Sequence, residues 1–217
     1  MLYIVATPIG NLKDITFRAI EVLKSVDLIA CEDTRHTKIL LDHYGIKVPT
    51  TSFFQHNRLI KAGYLLRLLK EEKNIALVSD AGTPGILDPG YNLIASAIKN
   101  NIETTFIPGP TAFINALVLS GKPAHEFYFA GFLPRKKNSR RNKLRQLAKM
   151  ECTLVFYESC HRILDCLLDL REVFGDKDIV VARELTKKFE EITHDKISLI
   201  IGGMNNVKSR GEFVVVI

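Results

Sequence analysis

From Val78 to Gly90 the chain reads VSDAGTPGILDPG, three glycines and two prolines set among two aspartates, Asp80 and Asp88. A glycine-rich loop after a strand usually cradles phosphate with bare backbone N–H groups, but carboxylates repel phosphate. No GxxxxGK[ST] supplies a lysine for a γ-phosphate, and no GxGxxG fingerprint accompanies the loop. Open backbone combined with negative charge suits a cationic nucleoside instead. An aspartate accepts hydrogen bonds from ribose hydroxyls or an amine and tolerates a nearby sulfonium. On charge, S-adenosylmethionine is therefore favoured over ATP or NAD; capping of the following turn or helix is the alternative role of either aspartate.

A second concentration of chemistry lies at GFLPRKKNSRRNKLRQLAK. From Phe127 to Met150 there is no Asp or Glu, while Arg135, Lys136, Lys137, Arg140, Arg141, Lys143, Arg145 and Lys149 supply eight of the 30 basic residues. The other 22 face 24 acidic residues, so the net charge of +6 resides in this one segment. A run of like charge is commonly only a solvated helix face. The missing acids and the aromatics Phe127, Tyr128, Phe129 and Phe132 just upstream favour phosphate-backbone binding. Arg135, Lys136, Arg140 and Arg141 are the expected phosphate contacts, with Arg35 and Lys38 nearer a reacting nucleotide; such contacts position a nucleic acid without reading its sequence. The six histidines and four cysteines form no HExxH, CxxC or zinc-ligand spacing, so no metal is expected. No GxSxG elbow is present.

These residues need elements to hold them. Apolar runs at LYIVATP, DLIACED, NIALVSD and TTFIPGP read as buried strands, with helical patterns between them at DITFRAIEVLKSV (capped by Asp14), RLIKAGYLLRLLKEE and GYNLIASAIKNN. Strand and helix in alternation predict parallel βαβ units. The second half predicts strands at EFYFAGFL, CTLVFYES, DIVVAREL, KISLIIGG and EFVVVI, and helices at SRRNKLRQLAKM (capped by Ser139) and CHRILDCLLDLREVF. MNNVKSRG is too short for a crossover helix, so the last two strands are expected to be antiparallel. The domains are drawn at residues 1–121 and 122–217. In an open parallel sheet ligands bind beyond the carboxyl ends of the strands. ATPIGNLKD, CEDTRHT, SDAGTPGILDPG and PGPTA all fall there. The N-terminus has no basic n-region and only four apolar residues in a row, and no apolar run reaches the ~20 residues of a membrane helix. With no disulfide framework, a reduced, cytoplasmic protein is expected.

Eight collinear motifs, ATPIGNLKDIT, CEDTRHTKILLDHYGI, SDAGTPGILDPG, PGPTAFINALVLSG, FAGFLPRK, YESCHRI, ARELTKKFEE and GEFVVVI, together resemble the ribosomal RNA 2′-O-methylases of the tetrapyrrole-methylase-like (class III) superfamily. The resemblance runs from Ala6 to Ile217. It implies two α/β domains with the cofactor cleft between them, the N-terminal sheet mostly parallel and the C-terminal sheet mixed. It also implies a homodimer that uses S-adenosylmethionine to methylate the ribose 2′-hydroxyl of one cytidine in the decoding region of 16S rRNA, within the small ribosomal subunit.

Carried over by motif, cofactor contacts fall on Pro8, Asp80, Gly82, Thr83, Thr111, Ala112, Tyr157, Arg183 and Leu185, with Asp88 added from the loop itself. The inferred reaction is in-line methyl transfer to a 2′-oxygen, which needs positioning and removal of a proton. Asp33, Glu158 and Lys187 are the leading polar groups for that task, with Glu32, Arg35 and Glu184 beside them. A lysine qualifies only with a depressed pKa, and each of these residues could equally form an inter-domain ion pair. Two departures from the family pattern stand out: Leu87 replaces a small serine, and many members extend beyond the position of Ile217, an extension that would add to RNA or subunit docking. A tetrapyrrole-type small-molecule methyltransferase would leave the basic segment without a role. A non-catalytic nucleotide-sensing RNA-binding module would leave methyl transfer absent.

Overall fold

A computed structural model of the chain describes residues 1–54, 58–88, 90–204 and 210–217, the side chains of 58 and 59 excepted. It falls into two compact units, Met1–Thr111 and Ala112–Ile217.

The first unit alternates strand and helix: β1 (Leu2–Val5), α1 (Phe17–Ser25), β2 (Leu28–Cys31), α2 (Thr34–His43), β3 (Thr50–Ser52), α3 (Arg58–Lys70), β4 (Ile75–Leu77), α4 (Gly90–Lys99) and β5 (Thr104–Ile107). The strands form one parallel sheet in the order β3-β2-β4-β1-β5. Alternate residues of each strand point to opposite faces. Ile29, Cys31, Ala76 and Val78 therefore pack with Ala19 and Leu23 of α1 and Leu40 and Leu41 of α2. Ala30, Ile75 and Leu77 meet Leu65 and Leu69 of α3 and Leu93 and Ala97 of α4 on the other side. Helices on both faces explain why these strands are apolar without alternation. The cap of α1 is Thr16, whose hydroxyl accepts from Ala19 N at 3.1 Å, rather than Asp14, which lies in a 3-10 turn.

The second unit contains α5 (Ala112–Leu119), β6 (Phe127–Phe132), α6 (Lys137–Leu147), β7 (Thr153–Ser159), α7 (Ile163–Phe174), β8 (Asp178–Arg183), β9 (Glu191–Lys196), α8 (Ile197–Met204) and β10 (Glu212–Val216). Its sheet is mixed, in the order β6-β7-β10-β8-β9, with β6 and β7 parallel and the remaining pairs antiparallel. Helices α6, α7 and α8 cover one face through Leu144, Leu147, Leu167, Leu170, Ile197 and Ile200. Helix α5 packs against β7 and β10, so residues 112–119, placed ahead of the boundary by the sequence pattern, group with the second sheet.

The segment KISLIIGG is a helix, not a strand. Its apolar residues Ile197, Ile200, Ile201 and Met204 recur at helical spacing and join the core. The strand before it, EITHDK, is the polar edge strand β9, which lacks the apolar run that marks a buried strand. Most of MNNVKSRG lies outside the described residues, and β10 pairs with β7 and β8 instead of the KISLIIGG segment.

The basic helix α6 begins one turn earlier than a Ser139 cap would place it, after Lys136 and without a side-chain cap. It docks on α7 through charge. Arg140, 3% exposed, places Nε 2.7 Å and Nη2 2.6 Å from Asp169 Oδ2, and Arg141 Nε donates to Asp169 Oδ1 at 2.7 Å. Arg141 also pairs with Glu172. Asp169 is 1% exposed, so removing it strands a buried guanidinium. Asp169→Ala should lose about 3–5 kcal/mol of unfolding free energy, read from urea denaturation; an unchanged midpoint would show that the pair does not hold the helix.

Candidate functional site

All five strands of the first sheet release the chain at one edge, and four of the loops there are laced together. After β1, Thr7 forms an antiparallel bridge with Gly82, Thr7 N donating to Gly82 O at 2.9 Å and Gly82 N to Thr7 O at 3.0 Å. Thr7 Oγ1 donates to Ser79 O at 3.1 Å. Thr83 and Thr111 share a hydroxyl hydrogen bond of 2.7 Å, which joins the loop after β4 to the loop after β5. Asp33 N donates to Asp80 Oδ1 at 3.0 Å, which brings in the loop after β2. Pro8 is buried beside the Thr7 bridge.

Two glycines serve this approach, one by conformation and one by size. Gly82 sits at φ +79°, where an L-residue is strained, and a Cβ there would meet Ile9 and the Pro110 carbonyl. A Cβ on Gly109 would stand 3.0 Å from Ala6 Cβ. Pro8, Asp80, Gly82, Thr83 and Thr111 are thus assembled at one edge. Thr7, Ser79, Gly109 and Glu32 join them. Thr7 acts through its backbone and its hydroxyl, Ser79 through its carbonyl and Gly109 by leaving room for Ala6; the motifs ATPIGNLKD, SDAGTPGILDPG and PGPTA contain all three without singling them out.

Asp88 has a different task. Its carboxylate accepts from Gly85 N through both oxygens at 2.9 Å and from Gly90 N at 2.7 Å, closing the turn that leads into α4. Burial raises its pKa against these two hydrogen bonds. Its oxygens are spent on the loop, which separates it from Asp80. Leu87, just before it, sits at φ 65° and is exposed, a strained position of the kind that a turn at a ligand site accumulates.

Glu32 follows β2, and burial together with the charges of Asp80 and Asp88 raises its pKa. Asp33, its neighbour, caps α2 through Arg35 N at 2.8 Å and pairs with the Arg35 guanidinium at 2.7 Å, which holds its carboxyl well below the usual range. That makes Asp33 a poor proton acceptor. Arg35 and Lys38 lie on the surface, paired with Asp33 and Asp42.

In the second unit Tyr157 stands in an aromatic cluster. Phe113 and Phe129 stack at 4.1 Å, Phe129 meets Tyr157 edge-on at 5.1 Å, and Phe132 lies 5.6 Å away. Tyr157 Oη accepts from Phe113 N at 3.3 Å at the start of α5, whose first residue is Ala112, and burial raises its pKa. The alternation of β7 then turns Glu158 to the opposite face. It lies opposite Phe213 in the register, buried on the side covered by α7, and pairs with Arg162 at 3.2 Å. Glu158 is therefore a core ion-pair residue and not a proton acceptor at an open site. Arg183 is also opposite Phe213, pairs with Glu191 at 3.4 Å and lines a small pocket of about 80 Å³ with Thr193, Asp195 and Leu199. It is on the other face of the sheet from Tyr157.

After β8 the chain makes a strained turn, with Glu184 at φ 50° and Thr186 at φ 66°, and Leu185 buried between them. Lys187 Nζ bonds Glu184 Oε1 and Glu212 Oε2, each at 2.9 Å. Burial opposes its charge, but these two carboxylates outweigh burial and raise its pKa. A lysine held more firmly protonated cannot take a proton, so its assignment as a base is corrected to an ion-pair role. In the basic segment Arg135 and Lys136 are exposed, whereas Arg140 is buried and Arg141 has both Nε and Nη2 engaged by acids of α7. The compensating acids absent from the segment are supplied across the fold, which withdraws Arg140 from phosphate contact. Lys137, Arg145 and Lys149 remain exposed beside Arg135 and Lys136.

The first-unit edge fits a cationic nucleoside. It offers hydroxyls at Thr83 and Thr111 and carboxylates at Glu32 and Asp80, and its glycine loop carries no lysine of the kind that grips phosphate. Among the described residues, no group of His, Cys, Asp and Glu is arranged to hold a metal ion.

The chain matches the family model for tetrapyrrole (corrin/porphyrin) methylases over residues 1–200. It is 47% identical over 216 residues to a Thermotoga maritima protein named ribosomal RNA small subunit methyltransferase I, covering all of this chain and 97% of that one. Proteins of the same name from Escherichia coli O157:H7 and Haemophilus influenzae are each 48% identical, over all of this chain and 77% and 78% of theirs. Among solved structures, diphthine synthase superposes with a TM-score of 0.74 at 14% identity, covering 100% of this chain and 88% of that one. The methyltransferase CobJ superposes at 0.71 and 18%, covering 99% and 92%. At these identities the two structures bear on the fold alone.

The raised pKa of Glu32 carries a pH signature. Its folded value lies above its unfolded one, so the cost of its charge is absent below the unfolded pKa and accrues as pH rises through the raised value. Glu32→Gln should raise the melting temperature at neutral pH and give no gain below about pH 4. Equal melting of the two proteins at neutral pH would contradict this placement of the side chain.

Proposed function

The chain belongs to the tetrapyrrole (corrin/porphyrin) methylases, and from that premise we propose that it is an S-adenosylmethionine-dependent methyltransferase of ribosomal RNA that modifies the ribose 2′-hydroxyl of a cytidine in the decoding region of 16S rRNA. The observation that carries this reading is identity of 46–48% over the whole chain to proteins sharing one rRNA methyltransferase name. A substrate within the small ribosomal subunit implies a cytoplasmic enzyme, and the family resemblance implies a homodimer. No helix among the described residues is long and apolar enough to cross a membrane.

Each part of the reading assigns work to residues of the chain. Bound S-adenosylmethionine supplies an electrophilic methyl on a sulfonium. Asp80 and the Thr83–Thr111 hydroxyl pair would hold its polar groups, and the backbone at Gly82 would lie against it; Pro8, Ala112, Tyr157 and Leu185 complete the expected contacts. Asp88 supports this loop from behind. A ribose hydroxyl is only weakly acidic, so a carboxylate whose pKa is raised serves better as proton acceptor than one locked to a guanidinium. Glu32 meets that condition better than Asp33. Arg135, Lys136 and Lys137 supply exposed charge for RNA phosphates, which predicts binding that weakens steeply with salt.

Small ribosomal subunits from cells lacking the protein, incubated with it and methyl-labelled S-adenosylmethionine, should gain label at one alkali-resistant linkage. Label on a base or on protein would sink the 2′-O assignment, and no transfer at all would favour a non-catalytic binding module. Asp80→Ala should weaken S-adenosylmethionine affinity about tenfold by calorimetry, the scale of a lost hydrogen bond to a charged group. Unchanged affinity would remove Asp80 from the site.

A further inference from the structure

The segment 133–136 joins β6 to α6 and leads into the exposed cations Arg135, Lys136 and Lys137. Three consecutive carbonyls of this segment are held by two arginines, the buried Arg140 and the half-buried Arg162. Arg162 Nη2 donates to Leu133 O at 2.7 Å and to Pro134 O at 3.2 Å, and Arg140 Nη1 donates to Arg135 O at 3.3 Å. Each guanidinium has its own buried carboxylate: Glu158, 1% exposed, lies 3.2 Å from Arg162, and Asp169, 1% exposed, lies 2.6 Å from Arg140. Glu158 is fixed in turn by Ser159 N, which donates to its Oε1 at 2.7 Å.

A surface connection ordinarily leaves such carbonyls to water and keeps its backbone freedom. Here they receive charge-assisted hydrogen bonds, which are about twice as strong as neutral ones. Arg140 spreads its contacts over Nε and Nη2 toward Asp169 and Nη1 toward the Arg135 carbonyl, whereas Arg162 gathers its contacts at Nη2, the end of a side chain longer than a lysine's. Ordering a loop is a cost of binding, and a loop ordered beforehand avoids it.

We propose that Arg162 and Arg140, set by Glu158 and Asp169, are positioning residues that pre-order the 133–136 segment so that Arg135, Lys136 and Lys137 meet RNA phosphates as a fixed array. This rests on the rRNA reading above. It also gives the YESCHR motif a use: Glu158 and Arg162 act on RNA binding through the loop, without touching the substrate.

The test is a thermodynamic cycle on binding of fluorescently labelled small-subunit rRNA over a range of salt. Arg162→Lys should weaken binding about tenfold and flatten the salt dependence by about 0.7 in slope for each phosphate no longer neutralised, while S-adenosylmethionine affinity stays unchanged in calorimetry. In a background carrying Arg135→Ala, Lys136→Ala and Lys137→Ala, the same Arg162→Lys change should cost nothing further, because the groups it positions are gone. Equal losses in both backgrounds would overturn the proposal and leave Arg162 as a staple of the fold. Continued rRNA methylation with that result would leave the functional reading standing. If the triple variant binds rRNA as the unmodified protein does, the basic face is not an RNA contact and the proposal falls with it. Should Arg162→Lys not fold, Glu158→Gln, which keeps an acceptor for Ser159 but removes the charge facing Arg162, enters the same cycle with the same outcomes.

Discussion

A parallel strand cannot be followed by a hairpin: the chain must return through a helix before the next strand starts, so every strand of the first sheet ends at the same edge. The site of the first unit depends on this constraint. Residues as distant in sequence as Thr7, Asp33, Asp80 and Thr111 are delivered to one place because β1, β2, β4 and β5 all point there. Once gathered, the loops satisfy one another's backbone groups. The Thr7–Gly82 bridge replaces water with protein on both sides, and the small residues at Gly82, Gly109 and Ala6 allow the approach.

The chain then separates its charges. Glu32, Asp80 and Asp88 give the first-unit edge a negative character that suits a sulfonium-bearing cofactor and repels phosphate. The second unit carries the surplus of positive charge on α6 and the loop before it. An excess of arginine in a folded chain must be sorted into those that face water and those that are neutralised. Asp169 and Glu158 do the sorting, taking Arg140, Arg141 and Arg162 into the structure and leaving Arg135, Lys136 and Lys137 outside. Lys187 is sorted the same way by Glu184 and Glu212, which fixes it as a cation.

Much of the fold is legible wherever a pattern repeats. Strands such as NIALVSD and helices such as GYNLIASAIKNN follow from apolar periodicity and punctuation by Gly, Pro and Asp. KISLIIGG misleads because eight mostly apolar residues satisfy strand and helix patterns alike; its identity is decided by Ile197, Ile200 and Met204 meeting the layer formed by α6 and α7. EITHDK misleads in the other direction, since an edge strand needs only one neighbour and can be polar. The cap of α1 moves by two residues for a similar reason: Thr16 and Asp14 are both competent, and the geometry of entry into α1 selects Thr16.

By itself the sequence determined the alternating, parallel character of the first half, the cationic ligand class implied by VSDAGTPGILDPG, and the family, because these rest on residue type and local spacing; the strand order and the short strand β3 came only from the structure. Tertiary structure alone decided what each charge does. Arg140 meets Asp169 from 29 residues away, Glu158 takes the core face because β7 pairs with β10 at Phe213, and Lys187 adds Glu212, 25 residues away, to its near neighbour Glu184. Electrostatic free energy is set by distance and burial, which one-dimensional spacing does not specify.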